Sequence, residues 1–398
     1  MKLVSMNKGG ALVILLQLIA VAVHGQGKES APAAIPSLTQ SRSVTTAVPF
    51  LLIAPDARGG AMGDGGVASA ADVNSMHWNP AKYAFAPDDK GLGISFTPWL
   101  RRLTSDVNLG YVSAYKKLDQ QQTLAASFRY FSYGNINYTL DDGTPYGSIK
   151  PADFAVDLAY IRKLNQDFSI ALAGRYIHSD IGQASTQSGN LQAASAGAVD
   201  VAVYYSKDSH IGRIPATISY GVNISNIGTK LNYGTAQNQF LPTNLKVGAG
   251  SDFHFDDNNS LAINLDINKL LVPTPPIRDQ NNNVIKGKDP NVSVPSGIFQ
   301  SFYDAPGGVH EEIQELSYAV GAEYNYNKHF FLRSGYFYED PMKGNRQYFT
   351  AGAGVRYRSL HIDTSYLIAE KQSPLNNTLR FSLSFSFGDK LSKGDSAN

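Results

Sequence analysis

Apolar and polar residues take turns along most of this chain, and the connections between the alternating runs come in two sizes that also take turns. The clearest run is Leu379-Arg380-Phe381-Ser382-Leu383-Ser384-Phe385-Ser386-Phe387, with a large apolar side chain at every odd position and Arg or Ser at every even one. Successive side chains of a strand point to opposite faces, so such a run is a ribbon with one greasy face and one polar face. Leu261–Ile267, Phe154–Tyr160 and Leu360–Ile368 carry the same pattern. Candidate strands begin near Gly93, Asp106, Thr123, Asp153, Phe168, Ala196, Pro215, Thr243, Ser260, Leu316, His329, Tyr348, Leu360 and Asn377, about 14 in all.

Alternation alone suits a β-sandwich as well as a membrane barrel; the connections separate the two. After the first pair they run long, short, long, short: Gly134–Lys150, then Asn165; Asp180–Ser195, then Lys207–Arg213; Ile227–Pro242, then Asp256–Asn259. Leu271–Glu315, Asn327-Lys328, Glu339–Gln347, Ser359 and Lys371–Asn376 complete the series. Short turns at one end and long loops at the other are the habit of outer-membrane barrels, whereas a soluble sandwich has no reason to keep that parity. Tyr130, Phe131, Tyr133, Tyr336, Phe337 and Tyr338 cluster near strand ends, as interfacial aromatic girdles do. The predicted fold is all-β, a 14-stranded antiparallel transmembrane β-barrel, and an even strand number puts both termini in the periplasm.

Composition agrees. Charged residues make up 17% of the chain, against about 25% in ordinary soluble domains. Yet a mean hydropathy of −0.21 is too low for a bundle of membrane helices. The net charge of +1 leaves no electrostatic footprint for nucleic acid, and the absence of Cys excludes disulfides, thiolate metal sites and an acylated-Cys lipid anchor.

At the N-terminus Lys2 and Lys8 precede the apolar run Ala11–Val23 and small residues ending at Gly25, which predicts a signal peptide over 1–25 cleaved after Gly25. Residues 26–47, rich in Gly, Ser, Thr and Pro, read as a flexible leader. The barrel is expected over 91–388, followed by a periplasmic tail over 389–398. Eight strands enclose a lumen that side chains can fill, whereas about 16 enclose an aqueous pore. Fourteen need something inside. Residues 48–90 are the candidate plug, with Arg58, Asp64, Trp78, Asn79 and Pro80 as its marked positions. Pro80 suits the first turn of a short helix capped by Asn79. Lumen-facing positions would hold Arg129, Asp153, Asp157, Arg175, Asp200, Asp266, Glu323, Arg333, Arg356, Asp363 and Arg380, both signs together, so that they pair.

Motifs for chemistry are few. No phosphate-binding glycine loop and no His/Asp/Glu metal cluster is present, so neither cofactor nor metal is expected. His361, Asp363 and Ser365 share one strand face, but neighbours on a face stand about 7 Å apart, too far for direct Ser–His hydrogen bonding. No catalytic residue is assigned. The loop 271–315 carries Ile298, Phe299, Phe302 and Tyr303, aromatics and aliphatics that either fold over the barrel mouth or bind a partner.

Pro55-Asp56-Ala57-Arg58-Gly59-Gly60-Ala61-Met62-Gly63-Asp64 and Trp78-Asn79-Pro80-Ala81, followed by the strands, resemble the FadL-type barrel superfamily and, within it, the PorV (LptO) branch of the Bacteroidetes type IX secretion system, with the PorQ-like branch a near neighbour. The resemblance implies a non-enzymatic outer-membrane protein. Its implied partners are the C-terminal signal domains of secreted cargo, a Sov/SprA-like translocon that releases them, a PorU-type sortase complex that attaches cargo to lipopolysaccharide, and outer-membrane lipid. A different class of function stays open: a FadL-like channel for hydrophobic small molecules. That would need a greasy pocket near the plug and a lateral opening where a strand is kinked, and Gly-rich strand interiors such as Gly248–Gly250 or Gly352–Gly354 would supply the kink. A lipid A-modifying enzyme, the third class, would require His361 or Ser365.

Overall fold

The alternating runs form strands, and the strands close on themselves. The computed structural model describes residues 42–139, 144–182, 185–186, 189–190, 192–235 and 237–388. The expected signal peptide, the leader up to residue 41 and the expected tail from 389 lie outside the described residues. The wall consists of β1 (Lys90–Pro98), β2 (Asn108–Lys117), β3 (Gln122–Ser132), β4 (Ala152–Lys163), β5 (Phe168–Asp180), β6 (Ala194–Ile211) and β7 (Ile214–Gly228). It continues with β8 (Asn244–Asp256), β9 (Asn259–Leu270), β10 (Leu316–Tyr326), β11 (Phe330–Tyr338), β12 (Gln347–Tyr357), β13 (Leu360–Ala369) and β14 (Thr378–Phe387). Each is antiparallel to the next, and β1 pairs with β14 from Lys90↔Phe387 to Phe96↔Phe381, which closes a 14-stranded barrel. Every strand begins within three residues of its expected start.

The two faces of the wall are the reverse of a soluble protein's. On β1, Leu92, Ile94 and Phe96 are 42, 49 and 48% exposed, while Ser95 and Thr97 between them are 2 and 0% exposed. The same inversion runs around the barrel: Leu158 and Leu172 stand outward, and Arg129, Asp157 and Arg380 are buried inward. An apolar face that finds no protein to cover it fits a hydrocarbon solvent, and the polar face fits a wet or occupied lumen.

Where β6 meets β7 the expected turn over Lys207–Arg213 is instead mostly strand. The pair runs on to Ile211↔Ile214 around Gly212, whose positive φ of 63° closes the tight turn. A register shift between Val199 and Val201 marks a bulge in this pair; opposite it Asn226 sits at φ 62°, its N–H donating to Asp200 (2.7 Å) and its side-chain amide to the Pro242 carbonyl (3.0 Å). The kinks expected at Gly248–Gly250 and Gly352–Gly354 are absent. Pairing passes unbroken through Gly248↔Asp266 and Gly250↔Asn264 and through Gly352↔Ser365 and Gly354↔Asp363. Gly248, Gly250 and Gly352 make room for the lumen segment instead: a Cβ on Gly248 would stand 3.0 Å from Val67, one on Gly250 3.0 Å from the Ala68 carbonyl and one on Gly352 2.5 Å from Ala61.

The segment before β1 runs through the barrel from end to end. At the long-loop end, Ala47 donates its N–H to the Phe240 carbonyl (2.9 Å), and Val48, Phe50 and Leu51 pack with Leu109, Phe131, Ile177 and Leu241. At the short-turn end, Tyr83 and Ala86 pack with Tyr115, Ala125 and Ile161, and Lys117 Nζ donates to the Ala86 carbonyl (2.5 Å). The described chain therefore starts at the long-loop mouth and ends, with β14, at the short-turn end. The chain ends themselves, and with them the expectation that both lie in the periplasm, fall outside the described residues. Of the expected leader, residues 42–47 are described; there Arg42 is ion-paired and Ala47 is buried.

Candidate functional site

The lumen segment is built from short pieces, each held by a side chain. Helix α1 (Ala57–Ala61) is capped by Asp56, whose carboxylate accepts from Gly59 N–H (2.8 Å) and also from the indole N–H of Trp78 (2.7 Å). Trp78 ends helix α2 (Ser75–Trp78) and lies against Gly59 and Gly66, where added Cβ atoms would stand 2.3 and 2.9 Å from its ring. Only glycine permits that approach. Asn79 accepts from Ala81 N–H (3.0 Å) and so caps the 3₁₀ turn Pro80–Phe85, while its amide donates to the Val67 (3.2 Å) and Val203 (2.9 Å) carbonyls. Trp78, Asn79 and Pro80 thus meet the Gly/Ala stretch in one knot.

Charge fastens the knot to the wall. Arg58 makes a two-pronged pair with Glu323 of β10 (2.9 and 2.8 Å) and a second pair with Asp72 (3.0 Å). Glu323 also holds Arg333 of β11 (2.5 Å), which reaches Asp363 of β13 (2.6 Å). Asp64 accepts from Tyr348 (2.6 Å) and pairs with Arg380 (3.1 Å). Asp266 accepts from the backbone N–H groups of Gly66 (2.5 Å) and Val67 (2.9 Å). Arg129 donates to the Leu51 carbonyl (2.8 Å) and contacts His77 Nδ1 (2.8 Å), and Arg175 joins Asp157 and Asp200. Asp153 accepts from Tyr133 (2.7 Å), and Arg356 pairs with Asp88 (3.3 Å) at the short-turn end. Buried charges persist where they are paired or hydrogen-bonded, and each of these has at least one such partner.

Above the knot lies a vestibule of about 620 Å³. Its walls include Phe50, Trp99, Phe131 and Phe337, its floor Asp64, His77, Trp78 and Lys246, and its rim Glu315, Glu339, Lys343 and Arg346. Lys246, on the inward face of β8, places its ammonium group over the Trp78 ring, 5.1 Å from the ring centroid. Parity along Asn244, Lys246 and Gly248 identifies it as inward, a signal that the sequence analysis did not use.

The loop between β9 and β10 is ordered into a small hairpin, helix α3 (Val294–Gln300) and helix α4 (Val309–Gln314). Phe299, Phe302 and Tyr303 are 70, 47 and 59% exposed, whereas Ile298 is half-buried, so the four do not form one closed cover over the mouth. The Lys288 ammonium lies over the Tyr303 ring, 3.6 Å from its centroid, and that of Lys269 over Phe302 at 5.9 Å. Sequence reasoning missed the rim cluster. Glu311 of α4 takes Arg42 (2.9 Å) and Lys343 (2.6 Å), and Glu315 takes Lys343 (2.9 Å) and Lys269 (2.8 Å). Burial raises the Glu311 carboxyl, but hydrogen bonds from Arg42 and Lys343 outweigh it and hold the group at about 2.

No relay joins the candidate acid–base set. Asp363 is taken by Arg333, His361 Nε2 stands 3.3 Å from it, and Ser365 Oγ has no hydrogen-bond partner among the described residues. Among the described residues no group of acidic or His side chains is placed to hold a metal ion.

No curated protein matches this sequence. In fold the chain is similar to the Pseudomonas putida toluene transporter TodX, at 11% identity over 87% of this chain and 98% of that one, with a TM-score of 0.47. It is also similar to CymD, a monoaromatic hydrocarbon channel, at 12% identity over 85% and 98% with a TM-score of 0.48. A Pseudomonas aeruginosa FadL homologue matches at 10% identity over 87% and 100%, with a TM-score of 0.43. A family model described as type IX secretion system protein PorV matches residues 37–277, which take in the lumen segment and β1 to β9. By that match over more than half its length, the chain belongs to the PorV family of the type IX secretion system.

Proposed function

We propose that this protein sits in the outer membrane, receives the C-terminal signal domain of secreted cargo at its long-loop mouth, and passes it from a Sov/SprA-like translocon to a PorU-type sortase complex. The observation that carries this reading is the lumen segment itself. It crosses the barrel and is tied to the wall by buried ion pairs at Arg58 and Asp64 and by the Asp266 carboxylate, which accepts from its backbone N–H groups, beneath a vestibule that faces the loops. A wall fastened to its own contents favours docking from outside over conduction. Phe299 and Tyr303, exposed on an ordered loop, supply aromatic anchors of the kind that dominate protein interfaces. The alternative, a channel for hydrophobic small molecules, keeps the apolar vestibule walls and the β6–β7 bulge in its favour, but pairing is unbroken at the glycine stretches suggested for its kink.

The test is co-purification from solubilised outer membrane with Phe299→Asp and Tyr303→Asp combined. Loss of cargo and translocon with barrel content unchanged is the expected result. Undiminished cargo recovery and secretion would remove the loop from the binding surface, and lipid alone with the wild-type protein would favour the channel.

A further inference from the structure

The rim helix α4 has two different edges. Glu311 faces inward to Arg42 and Lys343, whereas Val309 and Ile313, four positions apart and each two from Glu311, overhang the outer wall. They are 77 and 57% exposed, and among the described residues nothing covers them. Beneath them is a groove of about 230 Å³. One side is barrel wall, made of the outward-facing Leu245, Val247 and Ile267; the other is made of Phe302, Val309 and Ile313. A dry cavity of about 150 Å³ already holds a benzene-sized molecule, so this groove has room for a length of hydrocarbon. The one ionic feature in its lining is already neutralised, since Lys269 is paired with Glu312 (2.9 Å).

What covers the groove follows from what the wall beneath it touches. Val247 and Ile267 belong to the same outward rows as Leu265 and Ile263, which continue down the barrel as exposed apolar surface. The groove is the upper end of that surface, roofed by the loop. We propose that it seats an acyl chain of a bilayer lipid, held between the wall and the outer edge of α4, so that this part of the loop is a lipid clamp at the membrane rim. The proposal rests on the reading that the outward face meets lipid. It separates the loop's roles: Val309 and Ile313 grip lipid, while Phe299 and Tyr303 stay free for protein.

The chain has no Cys, so Ile313→Cys, Leu265→Cys and Phe299→Cys each take a single spin label. In vesicles of phosphatidylethanolamine and phosphatidylglycerol, collision rates with oxygen and with a water-soluble nickel chelate are compared by electron paramagnetic resonance. The expected result is loss of nickel collisions, with oxygen collisions retained, at Leu265→Cys and Ile313→Cys, and free nickel access at Phe299→Cys. Nickel access at Ile313→Cys with Leu265→Cys still shielded would overturn the lipid clamp alone. Nickel access at Leu265→Cys would overturn the membrane reading beneath it. An Ile313→Cys label shut off from both reagents would show a protein occupant and likewise overturn the clamp. Val309→Cys serves as a second groove position if the Ile313 variant fails to assemble.

Discussion

The lumen segment and the β9–β10 loop are both irregular insertions in a barrel, yet they are held in opposite ways. The lumen segment spends its polar groups inward and closes its apolar ones into clusters with the wall, as Phe50 and Leu51 do with Leu109 and Phe131. Its ion pairs join residues far apart in sequence, such as Arg58 with Glu323 and Asp64 with Arg380, so its position is decided only when the last strands are in place. The loop spends its charges at the rim, where Glu311, Glu312 and Glu315 hold Arg42, Lys343 and Lys269, and leaves Phe299, Val309 and Ile313 outside. The first arrangement fixes a structure; the second leaves contact surface for something else. In this molecule, burial of charge marks what must not move, and exposure of apolar side chains marks what is still to be met.

The sharpest way to break that contrast is to remove the shared anion of the lumen. Glu323→Leu removes the carboxylate that Arg58 and Arg333 share and leaves each with one partner, Asp72 and Asp363; breaking a buried pair costs about 3–5 kcal/mol. Thermal unfolding and heat-modifiability on gels should show a barrel that opens at lower temperature; an unchanged transition would mean that Asp72 and Asp363 suffice for the two guanidinium groups. A smaller effect is expected from Gly335→Ala on β11, where the new Cβ would stand 2.1 Å from the backbone nitrogen of Gly63. Overpacking of this kind costs about 1–3 kcal/mol, and it should lower the unfolding midpoint while leaving cargo co-purification intact once folded.

The rim is the weakest link of the comparison. Glu311 is held at about 2, below the ordinary value of 4.5, so its contribution is fully present above about 4.5 and lost as pH falls towards 2. Protease cutting of the loop in intact vesicles should therefore increase over that acid window. Arg42→Ala should flatten the dependence with little effect on global unfolding, because half-exposed pairs of this kind contribute about 0–1 kcal/mol. A loop equally protected at both pH extremes would assign its order to the packing of α3 and α4 instead.

Much of this was legible in the residues. Parity placed Arg129, Asp157, Glu323 and Arg380 inside and Leu158 and Phe381 outside before any contact was known, because a strand's side-chain period is fixed at two. Trp78, Asn79 and Pro80 were marked for a capped turn, since capping and proline preferences act within a few residues. The direction in which the lumen segment runs was not legible. Nor was the role of Gly248 and Gly352, read as kinks from their own strands alone, because the backbone they admit lies nearly two hundred residues or more earlier in the chain. The ordered loop was hidden for the same reason: Glu311 and Lys343 look like ordinary loop charges until they meet each other and Arg42.

The sequence by itself determined the strand number, the facing of each side chain and the closed wall. These follow from a period of two and from the cost of leaving backbone groups unpaired in a hydrocarbon solvent. Only the tertiary structure decided which way the N-terminal segment crosses the lumen, which charges share one carboxylate, and which edge of α4 overhangs the wall. Those depend on contacts between residues distant in the chain, and no local pattern carries that information.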